Sequence, residues 1–182
     1  MFVVPGEQDE DSPWPIFRRL LSTHVELAEL KSMLDSDITI AFMFRAGEWE
    51  RDGRVTLGKC YCQPSAQGDL RPLFEQLLED TLGFYPDFLI VLNAEWWGQA
   101  SEREREILVF HESLHARQAV DKYGAPRFDR ATGRPVPAIR PHDVEEFTAV
   151  AARYGAWKSD LQEFAAALNG QRPPAVDDVP VF

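Results

Sequence analysis

The stretch "EREREILVFHESLHARQAV", residues 102–120, decides how the rest of the chain is read. Ile107, Leu108, Val109 and Phe110 make an apolar turn that leads directly into His111, Glu112 and His115, and Ser101 with Glu104 forms a capping-box pattern ahead of it. With Gly124 as a stop signal, the pattern predicts one helix over about residues 101–123. Two histidines four apart on a helix share a face and stand about 6 Å apart along its axis, so both imidazoles can reach one ion. Glu112 adjoins the first histidine but is turned off the ligand axis, within reach of a water on that ion. Metal-assisted hydrolysis needs this division of labour: the metal acidifies water and polarises a carbonyl, while a carboxylate carries the proton. HExxH on a helix is a general signature of it. The competing reading is coincidence, three polar residues sharing a helix. The apolar turn weighs against coincidence, because imidazoles on a buried helix need partners more urgently than exposed ones.

Zinc in a catalytic site keeps three protein ligands and an open fourth position, so a third ligand is required. "RPHDVEEF", residues 140–147, offers His142, Asp143, Glu145 and Glu146 after a loop that can fold back on the helix. His142 is the expected ligand, at the junction of loop and helix, which would commit three of the four histidines to one site. Glu146 is the alternative, since a glutamate on a following helix completes another common zinc set. Asp143 and Glu146 also have the spacing of a reciprocal helix cap, and Asp143 can instead orient a ligand imidazole. The fourth histidine, His24, reads as a helix-start residue that caps or faces solvent. Tyr154 can supply a hydroxyl to a developing oxyanion, against the plainer reading of an amphipathic residue at a helix end.

The remaining composition bounds the class. At 182 residues, one domain with its own core is expected. Apolar residues make up 45% and charged residues 27%, which excludes a mostly disordered chain. A net charge of −11 disfavours nucleic acid as a partner. Cys60 and Cys62 stand too close to staple a fold and have no second pair for a zinc ribbon, so they read as reduced cysteines on a strand. The start "MFVVPGEQDEDSPWP" is acidic where a signal peptide would be basic, and eighteen apolar residues never run together, so a cytoplasmic protein without a membrane span is expected.

Along the chain, "PIFRRLLSTHVELAELKSMLDS" predicts one interrupted helix or two short ones. Two β-rich runs near residues 37–45 and 53–62, around "RDG", predict a hairpin. "DLRPLFEQLLEDTLG" predicts a helix ending on Gly83, and "DFLIVLN" a buried strand. Trp96 and Trp97 after it can line a cleft, although core packing is the plainer account. Residues 125–141 read as a long loop whose Arg127, Arg130, Arg134 and Arg140 either form a lid or stand solvated. Two helices broken around Gly155 follow. The expected division is an acidic segment over 1–15, a domain over 16–170 and a Pro-rich tail over 171–182.

The order "DITIAFMFRAGEWERDGRVTLGKCYC", "DFLIVLNAEWWGQASEREREILVFHESLHA" and "RPHDVEEFTAVAARYGAW" resembles the phage metallopeptidase family, relatives of the SprT-like zincins, over roughly residues 20–157. The resemblance implies zinc held by His111, His115 and His142 with Glu112 as general base, and a peptide or protein substrate, a specific host or phage protein among the candidates. It implies a small α+β zincin-like fold with a twisted, mainly antiparallel sheet packed on the HExxH helix, either "DFLIVLN" or the hairpin supplying an edge for an extended substrate. The cysteine-rich ribbon and basic segments common in DNA-linked relatives do not occur. The rival from another class is an acidic phage-encoded interaction protein, a host-factor inhibitor or DNA mimic, with a structural or vestigial zinc site.

Overall fold

Phe88–Asn93, the "FLIVLN" run, is buried at all six positions because both faces of its sheet are covered. In the computed structural model, which describes residues 1–51, 53–64, 68–144 and 148–170, this strand is the sixth of eight. The first unit, Met1–Arg140, runs β1 (Phe2–Val3), α1 (Pro13–Thr23), α2 (Ala28–Leu34), β2 (Ile40–Arg45), β3 (Glu50–Arg51), β4 (Arg54–Val55) and β5 (Gly58–Cys62). It continues with α3 (Arg71–Leu82), β6 (Phe88–Asn93), α4 (Ala94–Gln99), α5 (Glu102–Leu114), β7 (Ala116–Gln118) and β8 (Pro137–Ile139). The second unit, Pro141–Phe182, contains α6 (Thr148–Tyr154) and α7 (Ser159–Leu168) around Gly155, whose φ of +69° suits the turn between them.

The fold is α+β with a small mixed sheet, order β1-β2-β6-β5. The pairings β1–β2 and β5–β6 are antiparallel, as expected, whereas the central pairing β2–β6 is parallel. The two long strands read as hairpin partners are therefore not neighbours: β6 lies between them, and the "RDG" turn closes only the two-residue ribbon β3–β4. Turn chemistry is local and was read correctly, but partner choice is decided by which strand can be buried on both faces, and β6 is the one with no polar face to expose. β6 is thus interior, and the edges of the sheet are β1 and β5.

Ile40, Phe42, Phe88, Ile90, Leu92 and Cys60 face α1, α2 and α5, packing on Phe17, Leu20, Leu30, Met33 and Val109. Ala41, Met43, Leu89 and Val91 face Leu78 and Phe74 of α3 on the other side. The period-two alternation of β2 and β6 feeds two cores at once. Trp14, Phe17 and Phe42 meet edge to face, with ring centroids 4.9–6.0 Å apart. The acidic start is drawn into the same unit: Asp11 accepts from Trp97 Nε1 at its carbonyl (2.7 Å) and from Arg105 at its carboxylate (2.8 Å).

The first helical stretch breaks into two at His24, which ends α1 with its N–H on the Leu20 carbonyl. The helix carrying HESLH starts as expected, with both capping-box bonds present, but ends at Leu114 rather than near 123. From Ala116 the chain pairs with residues 137–139, so a tertiary partner overrides the helix-forming residues "ARQAV". Nor is the stretch read as a long loop irregular. Ala119 N–H reaches the Val136 carbonyl (2.7 Å), Arg127 N–H the Ala119 carbonyl (2.8 Å) and Val136 N–H the Arg127 carbonyl (3.0 Å), extending the two-stranded ribbon β7–β8 into an arm with isolated bridges at Val120–Pro126 and Phe128–Pro135. Arg134 is neither lid nor solvated charge: it donates to the Asp37 carbonyl and, at 2.7 Å, to the buried carboxylate of Asp87, which also accepts from Thr39. Among the described residues no helix is long and apolar enough to cross a membrane.

Phe88 is fully buried at the centre of this arrangement, so Phe88→Ala should lower unfolding stability by about 3–5 kcal/mol in urea titration. A loss of the size typical of surface substitutions would mean that β6 is not the strand that organises both cores.

Candidate metal centre

Helix α5 presents the motif on its last turn. His111 lies inside the helix and His115 is its C-cap residue, still in helical conformation (φ −70°, ψ −26°), so the i, i+4 relation survives the early helix end. Their ring centroids stand 5.1 Å apart. Two bonds with Arg140 fix His115: its carbonyl accepts the Arg140 N–H at 2.8 Å, and its Nδ1 lies 2.7 Å from the Arg140 carbonyl oxygen. A carbonyl only accepts, so Nδ1 carries the proton and Nε2 is the nitrogen with a lone pair to give. His142 follows two residues beyond that tether. One ring nitrogen from each of His111, His115 and His142 lies within 4.8 Å of the others, a spacing that three ligands of one ion can share.

Glu112 is 4% exposed and lies against β5. Its carboxylate accepts from the Cys60 backbone N–H. Burial raises its pKa to about 7, opposed by the charge of His115 and by that hydrogen bond. A cation beside it would favour the ionised form. The approach is possible because residue 58 is glycine: an added Cβ there would meet Glu112 Oε1 at 2.8 Å and Cγ at 3.0 Å. Burial also pushes the thiol of Cys60 up, and that of Cys62 to about 11, so both stay as neutral thiols.

Of the other residues weighed, Asp143 is exposed beside His142, and Tyr154 ends α6 with 65% of its surface exposed. Glu146 and the tail over 171–182 lie outside the described residues. His24 meets Phe110 at 5.1 Å between ring centroids and bonds Thr23 through Nδ1. The two tryptophans divide the readings made of them: Trp97 is buried against Phe44, whereas Trp96 lines a cleft beside His111 and Glu112.

A family profile described as "Putative phage metallopeptidase" matches residues 12–169. The chain belongs to this family. Neither curated proteins nor solved structures yielded a match. The family match spans the whole motif helix and His142, and together with the three-histidine cluster it suggests a metal ion.

Sequence reasoning missed two contributors to this site in a phage metallopeptidase chain. Gly58 carried a readable signal, since an isolated glycine inside a strand pattern marks close approach by another group. Arg140 contributes through its backbone, which no side-chain pattern reports. If the contact between Gly58 and Glu112 is direct, Gly58→Ala should cost about 1–3 kcal/mol in chemical denaturation in the native background and almost nothing alongside Glu112→Ala. Equal costs in the two backgrounds would show that the two residues are not coupled.

Proposed function

We propose that this protein is a zinc-dependent peptidase in which Glu112 is the general base. The observation that carries the reading is the convergence of three imidazoles with a buried carboxylate one residue from the first of them. His111, His115 and His142 would hold the ion, and three neutral nitrogen ligands suit zinc while leaving a position for water or substrate. Zinc bound there would supply Lewis acidity toward the peptide carbonyl and acidify water.

The chain's own groups account for the rest. The Arg140 carbonyl holds the His115 ring in the tautomer that offers Nε2. Glu112 takes a proton from the attacking water and returns it to the departing amine, first base and then acid. Zinc bound beside it would favour the ionised carboxylate, the form that accepts the proton of the attacking water. The Cys60 N–H and the lack of a side chain at Gly58 hold the carboxylate in one place. A peptide or protein is the proposed substrate.

Elemental analysis of untagged protein dialysed against metal-free buffer should find about one zinc per chain, the content of a three-ligand site. His111→Ala and His115→Ala should each lose the ion. Glu112→Gln should keep it and lose at least about 10²-fold in peptide hydrolysis, the lower range for a positioned general base. Hydrolysis unchanged in Glu112→Gln would remove that residue from the mechanism, and a chain that takes up no zinc would end the peptidase reading.

A further inference from the structure

A cleft of about 400 Å³ opens beside the motif, lined by His111 and Glu112 together with Leu57, Trp96, Ile107 and Leu108. Its apolar residues come from three different segments: the residue before β5, the helix α4 and the helix α5. Ile107 is 56% exposed although it stands one turn before His111 on the motif helix. Trp96 is half-buried, with one part in the core and the rest toward the cleft. Large apolar side chains converging from separate elements on one concave site are the usual wall of a ligand pocket.

We propose that this cleft receives a large apolar side chain of the substrate, aromatic or branched aliphatic, on a residue flanking the bond to be cleaved. The inference rests on the peptidase reading and adds a substrate class to it. The occupant follows from continuity: the cleft shares His111 and Glu112 with the metal centre, so what fills it is joined to the group held there. Its one acidic wall residue besides Glu112 does not argue for a cationic guest. Glu104 accepts from the Ser101 N–H at 2.8 Å and from the Ser101 hydroxyl at 2.7 Å. That carboxylate is committed to the helix cap. Ile107 and Trp96 are then the residues that set side-chain preference, through contact area rather than charge.

The test uses the zinc-loaded full-length chain and the indole N–H resonance of Trp96, assigned with Trp96→Phe. It is titrated with the N-acetyl amides of phenylalanine, leucine, lysine and glycine. A saturable shift is expected with the phenylalanyl and leucyl amides at concentrations about tenfold lower than with the glycyl amide, the ratio that burial of one large apolar side chain supports. Ile107→Glu should erase that ratio and keep one zinc per chain. In parallel, mass spectrometry of products from an unfolded protein substrate should find cleaved bonds flanked by large apolar residues. Equal shifts for all four amides, or a preference for lysine, would overturn the proposal even if the protein hydrolyses peptides. Selective shifts without any hydrolysis would leave the pocket standing and remove the peptidase reading instead.

Discussion

Glu112 is a carboxylate placed where carboxylates are costly, 4% exposed between a helix and a strand. Holding it there requires that α5 approach β5 closely at one point, that β5 offer a backbone N–H at Cys60, and that residue 58 have no side chain. Those demands fix the position of the helix along the strand. Once α5 is fixed, His111 and His115 follow at its end, and the placement of the first two candidate ligands comes from the same contact as the placement of the buried carboxylate. A site built on a helix seated against a sheet is held by packing on several sides, which is how reacting groups are kept within a fraction of an ångström.

The sheet serves that contact. β6 lies in the middle with six buried residues, parallel to β2 and antiparallel to β5. The parallel pairing requires a long crossover between β2 and β6, and the residues between them supply β5 and α3. One face of the sheet receives α1, α2 and α5, and the other receives α3. β5 therefore stands at an end of the order with its backbone beside the motif helix. The arm that follows His115 has a comparable role at the other end of the motif. Paired through β7 and β8, and anchored by Arg134 on Asp87, it returns Arg140 to the His115 ring. A stretch with the composition of a mobile loop is thus part of what orients the His115 ring.

The amino-acid sequence alone determined the elements that carry their own signal. Ser101 and Glu104 started the motif helix, since a capping box is satisfied within four residues. The "FLIVLN" run marked a buried strand, and the spacing of His111 and His115 placed both on one helical face, because these periodicities are properties of the backbone itself. Three things were decided only in the tertiary structure. The helix ended at Leu114 because residues 116–118 found strand partners some twenty residues away, and no local propensity reports such a partner. β6 rather than the hairpin neighbour paired with β2, because strand order follows from burying two faces at once and not from the nearest turn. The hydrogen bond that orients His115 came from the backbone of Arg140, and the room for Glu112 from the missing side chain of Gly58. Backbone atoms and absent atoms have no letter of their own, so their part in a site is settled when distant segments meet.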